Sequence, residues 1–120
     1  MSPLAAQPWE LLCGALRPVR IFDLRAPEAF ARGHLAGAEC LPYERFQGEV
    51  LGLLAAAALT EDDVLIVDPG GARAAEMAVW LRTRGLPARY LEGGYAAWTG
   101  PLVDPHRPPA AGPARPKTRP

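Results

Sequence analysis

The clearest pattern in the chain is an apolar run followed by a glycine turn and a helical segment. Val64–Val67 holds four apolar residues, three of them β-branched, which predicts a short buried strand. Asp68-Pro69-Gly70-Gly71 then interrupts regular structure. From Ala72 to Arg84 the chain is rich in helix formers. Its apolar residues recur on one helical face, at Ala74, Met77, Ala78 and Leu81. The segment therefore predicts a strand, a tight loop and a helix.

Similar patterns on both sides of this segment predict further strands and helices. Extended segments are expected at Val19–Asp23, Gly37–Pro42 and Ala88–Leu91. Helices are expected at Pro27–Arg32, Glu44–Ala58 and Tyr95–Trp98, with at best a short amphipathic helix in residues 1–16. Since strands alternate with helices, we predict an α/β fold with a mostly parallel central sheet and helices on both faces.

The loop after Val67 has the features of an anion-binding site. Ligands of open α/β sheets bind at the carboxyl ends of strands. There the N–H groups of a glycine-rich loop converge beside the positive end of the following helix, which favours a negative charge. Glycine-rich loops at helix starts are nevertheless common, and a purely structural turn fits this pattern equally well.

Length and charge narrow the functional classes. The chain has 120 residues, which favours one domain, and a formal net charge of zero. Residues 101–120 carry four basic side chains and one acidic one, so residues 1–100 have nine basic and twelve acidic side chains. A globular part with an acidic surplus argues against a nucleic-acid partner.

No segment suggests a membrane or secreted protein. The longest uncharged apolar stretch, Val50 to Leu59, is about half as long as a membrane span requires. The start of the chain lacks a basic segment followed by an apolar run, so we expect no secretory signal and a cytoplasmic location.

The two cysteines do not form a metal-binding pattern. Cys13 and Cys40 are far apart in sequence, and with two histidines in the chain no zinc set is evident. We expect two reduced, partly buried thiols and neither metal nor cofactor. A disulfide between Cys13 and Cys40 stays open as an alternative.

The composition changes after Gly100. Seven of the fourteen prolines lie in residues 101–120. We predict a basic, Pro-rich, disordered tail over residues 104–120, following a domain over residues 1–103. The tail holds two PxxP patterns, at 105–108 and 113–116, which can dock in aromatic-lined grooves, although a solvated tail without a partner is favoured.

Four stretches, in this order and spacing, resemble the signatures of the rhodanese (sulfurtransferase-like) domain family between about Val19 and Leu102. They are Ile21-Phe-Asp-Leu-Arg25 with its Asp-x-Arg, the Gly-His-Leu-Ala-Gly-Ala within Phe30–Ala38, the strand and loop Val64–Arg73, and Leu91-Glu-Gly-Gly-Tyr-Ala-Ala-Trp98. The resemblance implies a rhodanese-like three-layer fold.

The resemblance also implies a site and a chemistry. In the family a cysteine opens a six-residue loop, whose N–H groups lower the pKa of the thiol and hold the persulfide formed from a donor such as thiosulfate. The corresponding loop here is Asp68, Pro69, Gly70, Gly71, Ala72 and Arg73. Asp68 stands where the family has its cysteine. Because a carboxylate cannot carry a sulfane sulfur, we expect no catalytic residue in the loop and a plugged site that acts by binding another protein.

Two catalytic alternatives remain. Cys40 can be a relocated nucleophile of an active sulfurtransferase, although no activating base is evident near it in the sequence. Asp68 can be a phospho-acceptor with Asp23 nearby. The lone lysine, Lys117, lies in the tail, so the buried lysine that receiver-type domains use is missing.

The other motif residues have structural interpretations. We expect Asp23 and Arg25 to form an ion pair that supports the loop, and His34 to be a structural histidine that bonds to backbone. Trp98 is expected in the core. Arg73 is expected to pair with Asp68 or, one helical turn on, with Glu76.

Overall fold

The computed structural model describes residues 2–104, which form one five-stranded parallel sheet covered by helices on both faces. The strands are β1 (Ala5–Ala6), β2 (Arg20–Asp23), β3 (Ala38–Cys40), β4 (Val64–Val67) and β5 (Arg89–Leu91). The helices are α1 (Pro8–Leu12), α2 (Pro27–Arg32), α3 (Tyr43–Leu54), α4 (Ala72–Thr83) and α5 (Gly94–Ala97). The predicted α/β class is confirmed, whereas the predicted tail from residue 105 onward lies outside the described residues.

The sheet order β1-β5-β4-β2-β3 places β4 in the centre. All four residues of β4 are buried, as the uninterrupted apolar run predicts for a strand covered on both faces. The register aligns Asp23 at the end of β2 with Val67 in β4 and with Cys40 in β3. Because the strands are parallel, the polar residues that follow them meet at one edge of the sheet.

Two apolar clusters fill the space on either side of the sheet. One packs the buried faces of α3 and α4 against Phe22, Val64 and Ile66. The other packs Ile21, Leu65 and Val67 against residues from the N-terminal segment and from around α5. Trp98 lies half-buried against this second cluster, and its indole N–H donates to the carbonyl oxygen of Pro101 at 3.2 Å.

One predicted helix is too long, and one strand was missed. The helix expected over Glu44–Ala58 ends at Leu54, its last buried residue. Residues 55–58 are exposed alanines, and helix propensity without an apolar face to bury does not extend the helix. The edge strand Ala5–Ala6 was not predicted. It pairs with β5, where Ala5 lies opposite Tyr90 and Ala6 opposite Leu91.

None of the helices within residues 2–104 combines the length and the apolar character that crossing a membrane requires.

Candidate functional site

Asp68 caps the start of α4 with its side-chain carboxylate. Its side chain follows β4 directly and is 3% exposed. The backbone N–H of Gly71 donates to Oδ1, and those of Arg73 and Ala74 donate to Oδ2 at 3.0 and 3.2 Å. The carboxylate thus satisfies donors that the first turn of α4 leaves without intrahelical partners, at the positive end of the helix.

The loop of residues 68–73, called the Asp68 loop below, is held against the start of α5. The N–H of Tyr95 donates to the carbonyl oxygen of Asp68, and that of Ala96 to Pro69, both at 2.9 Å. Gly94 makes this approach possible, because a Cβ there would come within 2.7 Å of the carbonyl carbon of Pro69. Gly71, with φ +100°, supplies the left-handed turn that enters α4. Both glycines are therefore required by the geometry of the loop.

Two further N–H groups of the loop do not bond to Asp68. Gly70 and Ala72 are exposed, and within residues 2–104 their N–H groups have no protein acceptor. Some N–H groups of the Asp68 loop therefore bond to the Asp68 carboxylate, and those of Gly70 and Ala72 do not.

A cleft of about 320 Å³ opens beside the Asp68 loop. Its apolar walls come from the segment after β2, with Leu24, Ala26 and Ala29, and from Pro69. Its charged lining residues are Arg25, Glu44, Asp68 and Arg73. Glu44, in the first turn of α3, is a lining residue that the sequence analysis did not single out.

Arg73 does not form the ion pair expected from the sequence. Its backbone N–H reaches Asp68, but its guanidinium carbon lies 4.4 Å from the ring centroid of Tyr43. The Tyr43 hydroxyl in turn donates to Glu76 at 2.9 Å. Within residues 2–104 the Arg73 side chain has no carboxylate partner, since stacking on Tyr43 directs it away from both Asp68 and Glu76.

Asp23 and Arg25 form the core of a buried polar network. Arg25 Nη2 donates to Asp23 Oδ2 at 2.9 Å and to the carbonyl oxygen of Gly33 at 2.7 Å. Asp23 is fully buried and also accepts the Tyr95 hydroxyl at 2.7 Å. That hydroxyl accepts the N–H of Leu35 at 3.1 Å. Burial, together with the bond to Asp23, raises the pKa of Tyr95 well above its ordinary value.

Tyr95 links this network to the Asp68 loop, which the sequence analysis missed. Its hydroxyl bonds Asp23 while its backbone N–H bonds the carbonyl oxygen of Asp68. The guanidinium of Arg25 also stacks on the Tyr95 ring, 3.8 Å from the centroid. The one available signal was the position of Tyr95 directly after Gly93-Gly94.

His34 lies outside the cleft, in a buried structural position. Its Nδ1 lies 2.9 Å from the carbonyl oxygen of Phe30, and its ring stacks on Phe30 with centroids 3.7 Å apart. Its backbone forms an antiparallel bridge with Val103. This bridge fixes the end of the described chain beside the turn at Gly33.

The two cysteines are free thiols in different parts of the fold. Cys13 is exposed after α1, and Cys40 is half-buried at the end of β3. Cys40 Sγ contacts the carbonyl oxygen of Arg25 at 3.8 Å and does not line the cleft. Burial, reinforced by the charge of Asp23, raises the pKa of the Cys40 thiol. The Cys40 thiol is therefore less readily ionised than an ordinary cysteine.

The family assignment rests on a match over most of the chain. The family model described as the rhodanese-like domain matches residues 8–101. The chain belongs to the rhodanese-like domain family. The four stretches noted in the sequence all lie within this match. A comparison with curated proteins gives no match.

Solved structures of rhodanese-like proteins have the same architecture. A rhodanese-like domain protein from Staphylococcus aureus is 27% identical with a TM-score of 0.67, and the alignment covers 84% of this chain and 97% of that one. A rhodanese homologue from Thermus thermophilus is 27% identical with a TM-score of 0.55, with 78% and 98% covered. The human single-domain sulfurtransferase is 24% identical with a TM-score of 0.61, with 81% and 96% covered. These three proteins are therefore similar to this chain in length as well as in fold.

Within residues 2–104, no three side chains of His, Cys, Asp or Glu are grouped in a way that suits a metal ion. The site consists of the cleft, the buried Asp68 carboxylate with its N–H donors, and the Arg73 guanidinium in the lining of the cleft.

Proposed function

We propose that this rhodanese-like domain has no sulfurtransferase activity and acts as a module that binds another protein. The observation that carries the proposal is the set of three loop N–H groups donating to the Asp68 carboxylate. Asp68 stands at the position where the resemblance places the nucleophilic cysteine. The group that would accept sulfur is therefore absent from the loop.

Chemistry and geometry both oppose sulfur transfer at Asp68. A persulfide forms when a thiolate attacks a donor and makes an S–S bond, and a carboxylate has no sulfur with which to form it. Three of the donors that would stabilise a thiolate or persulfide, the N–H groups of Gly71, Arg73 and Ala74, already bond to Oδ1 and Oδ2. The loop is better suited to stabilising α4 than to recruiting an anionic donor.

The alternative is an active sulfurtransferase that uses Cys40. The position of Cys40 argues against this alternative, because β2 separates β3 from β4, the strand that leads into the Asp68 loop. The raised pKa of the Cys40 thiol argues against it as well. Strand spacing puts its Cα roughly 10 Å from that of Val67. Cys13 is exposed at the end of α1 and does not line the cleft.

A binding role is supported by the state of the cleft. The loop conformation is kept by Gly71, Gly94 and the Tyr95 contacts, and the cleft beside it stays open and mixed in polarity. Such a cleft, with apolar walls and a few charged groups, suits a protein side chain or a short peptide segment.

Sulfur loading tests the proposal directly. The purified full chain is incubated with thiosulfate, and each cysteine is examined for a persulfide by mass spectrometry, with Cys13→Ala and Cys40→Ala as matched variants. The proposal predicts no labile sulfur on either residue. A persulfide that disappears in one of the two variants would identify the nucleophile and overturn the inactive assignment.

A further inference from the structure

The lining of the cleft beside the Asp68 loop holds two arginines and two carboxylates, and one of the arginines is already paired with a carboxylate outside the lining. Arg25 is neutralised by the ion pair with Asp23. Asp68 is held by three N–H donors, which are uncharged and leave its formal charge in place. Glu44 is exposed and, within residues 2–104, has no ion-pair partner. Glu44 is therefore the exposed carboxylate of the lining, whereas Asp68 is 3% exposed and bonded to its N–H donors.

The Arg73 side chain is occupied by an aromatic contact. Its guanidinium stacks on Tyr43, and the Tyr43 hydroxyl is bound to Glu76. The exposed carboxylate of Glu44 is complementary to a basic side chain, whose aliphatic stem can lie along Ala26 and Ala29 while its charge faces Glu44.

The described chain ends close to this cleft, and a basic segment follows it in the sequence. Residues 105–120 hold Arg107, Arg115, Lys117 and Arg119 and no acidic residue, against the acidic surplus of residues 1–100. The described chain ends just after the bridge between Val103 and His34. His34 follows Gly33, whose carbonyl oxygen accepts a hydrogen bond from Arg25, a lining residue of the cleft.

The tail is also long enough to reach the cleft. Sixteen residues follow Asp104, which gives a maximal reach of about 50 Å at roughly 3.3 Å per residue. A binding segment joined to its site through a short linker has an effective concentration in the millimolar range, so a weak electrostatic contact suffices to occupy the cleft.

We propose that the basic tail, residues 105–120, docks through its arginine and lysine side chains in the cleft formed by Ala26, Glu44, Asp68 and Arg73 of the same chain. The tail then competes with any protein partner for this cleft. The inference goes beyond the proposed function, because it concerns occupancy of the cleft and holds whether or not the domain transfers sulfur.

Paramagnetic broadening in the full-length protein tests the contact. A nitroxide is attached to Thr118→Cys in a chain that also carries Cys13→Ser and Cys40→Ala, and amide signals are compared before and after reduction of the label. The expected result at about 0.01 M salt is a loss of signal for Ala26, Glu44 and Arg73. The amide signals of Asp62 and Gly85, which precede the amino ends of β4 and β5, keep their intensity. Raising the salt to about 1 M, where the screening length is about 3 Å, restores the signals.

The matched control removes the charge of the tail and leaves residues 2–104 unchanged. It carries Arg107→Gln, Arg115→Gln, Lys117→Gln and Arg119→Gln, and is expected to lose the broadening. Broadening that persists in this variant, or equal intensities at the cleft and at Gly85, would overturn the proposal. A mixture of labelled chain and unlabelled nitrogen-15 chain gives the third arm. Broadening at the cleft in that mixture would mean that the tail binds a second copy, which also overturns docking in its own cleft.

Discussion

Asp68 and Arg73, the first and last residues of one loop, are joined through backbone and not through charge. The Arg73 N–H donates to Asp68 Oδ2 at 3.0 Å, whereas its guanidinium lies over the Tyr43 ring. The carboxylate is therefore a helix cap and the arginine is part of the rim of the cleft. This division of roles makes the loop a structural element whose disruption has measurable consequences.

Removing the Asp68 carboxylate should destabilise the protein. Asp68→Ala leaves three N–H groups at the start of α4 without their acceptor. Loss of a helix cap costs about 0.5–2 kcal/mol, and the burial of this side chain favours the upper part of that range. Urea denaturation measures the change. Glu44→Gln, in the same cleft but exposed and without an ion pair, is the control and should change stability by less than about 0.5 kcal/mol. Equal stabilities for Asp68→Ala and the wild type would contradict the capping role.

Gly94 should tolerate no side chain. Its φ is +57°, and an added Cβ would lie 2.8 Å from the backbone nitrogen of Gly70. We expect Gly94→Ala to lower the free energy of unfolding by at least about 1–3 kcal/mol, since the loop must move to relieve the overlap. Gly70→Ala is the matched control in the same loop, because a Cβ there meets nothing within 4 Å. Thermal melts of the two variants should differ clearly, and a similar Tm for both would show that the loop does not depend on this approach.

The Tyr95 hydroxyl should make stability fall at alkaline pH. Its pKa in the folded protein is raised, first by burial and then by the bond to Asp23. The folded state therefore keeps a proton that the unfolded chain releases near pH 10, so the stabilisation is complete below that pH and is lost as the pH rises above it. Tyr95→Phe should show a smaller alkaline loss.

At neutral pH the same variant should cost about 1–3 kcal/mol, because Asp23 remains buried with one donor fewer. Tyr90→Phe serves as the neutral-pH control, since the Tyr90 hydroxyl donates to Glu92 at an exposed site. Denaturation curves at neutral and alkaline pH measure both effects. An unchanged alkaline slope in Tyr95→Phe would rule out Tyr95 as its source.

The two thiols should differ in reactivity. Cys13 is exposed, whereas burial raises the pKa of Cys40 and restricts access to its sulfur. Iodoacetamide should therefore modify Cys13 first at pH 8, and the rate at Cys40 should keep rising as the pH increases beyond the ordinary thiol range. Peptide mapping after timed quenching follows each site. Faster modification of Cys40 would point to an activated thiol and would favour the alternative nucleophile.

The central part of the fold was predictable because several local signals agree there. The apolar run Val64–Val67, the glycines after it and the helix formers from Ala72 each favour the same strand, loop and helix. The end of α3 was not predictable from propensity, since residues 55–58 are good helix formers with nothing to pack against. The strand Ala5–Ala6 depends on pairing with β5 and on Arg89, whose Nη2 donates to the carbonyl oxygen of Ala5 at 3.0 Å.

The site was predictable in its loop and less so in its surroundings. The position of Asp68 followed from the strand and glycine pattern together with the resemblance. The stacking of Arg73 on Tyr43 and the bond between Tyr95 and Asp23 join residues 30 and 72 positions apart in the chain. Such contacts are set by tertiary packing, and neither periodicity nor motif spacing contains them.

Release of thiocyanate from thiosulfate and cyanide tests the inactive assignment most directly, with the unmodified chain, Asp68→Cys and a no-enzyme control measured side by side. The account predicts no release above background for the unmodified chain. For Asp68→Cys it predicts measurable turnover, since the loop N–H groups that now hold the carboxylate are then free to hold a thiolate. If a folded Asp68→Cys variant released no thiocyanate, Pro69-Gly70-Gly71 would no longer support catalysis. Clear release by the unmodified chain would contradict the account and show that another cysteine carries the sulfur.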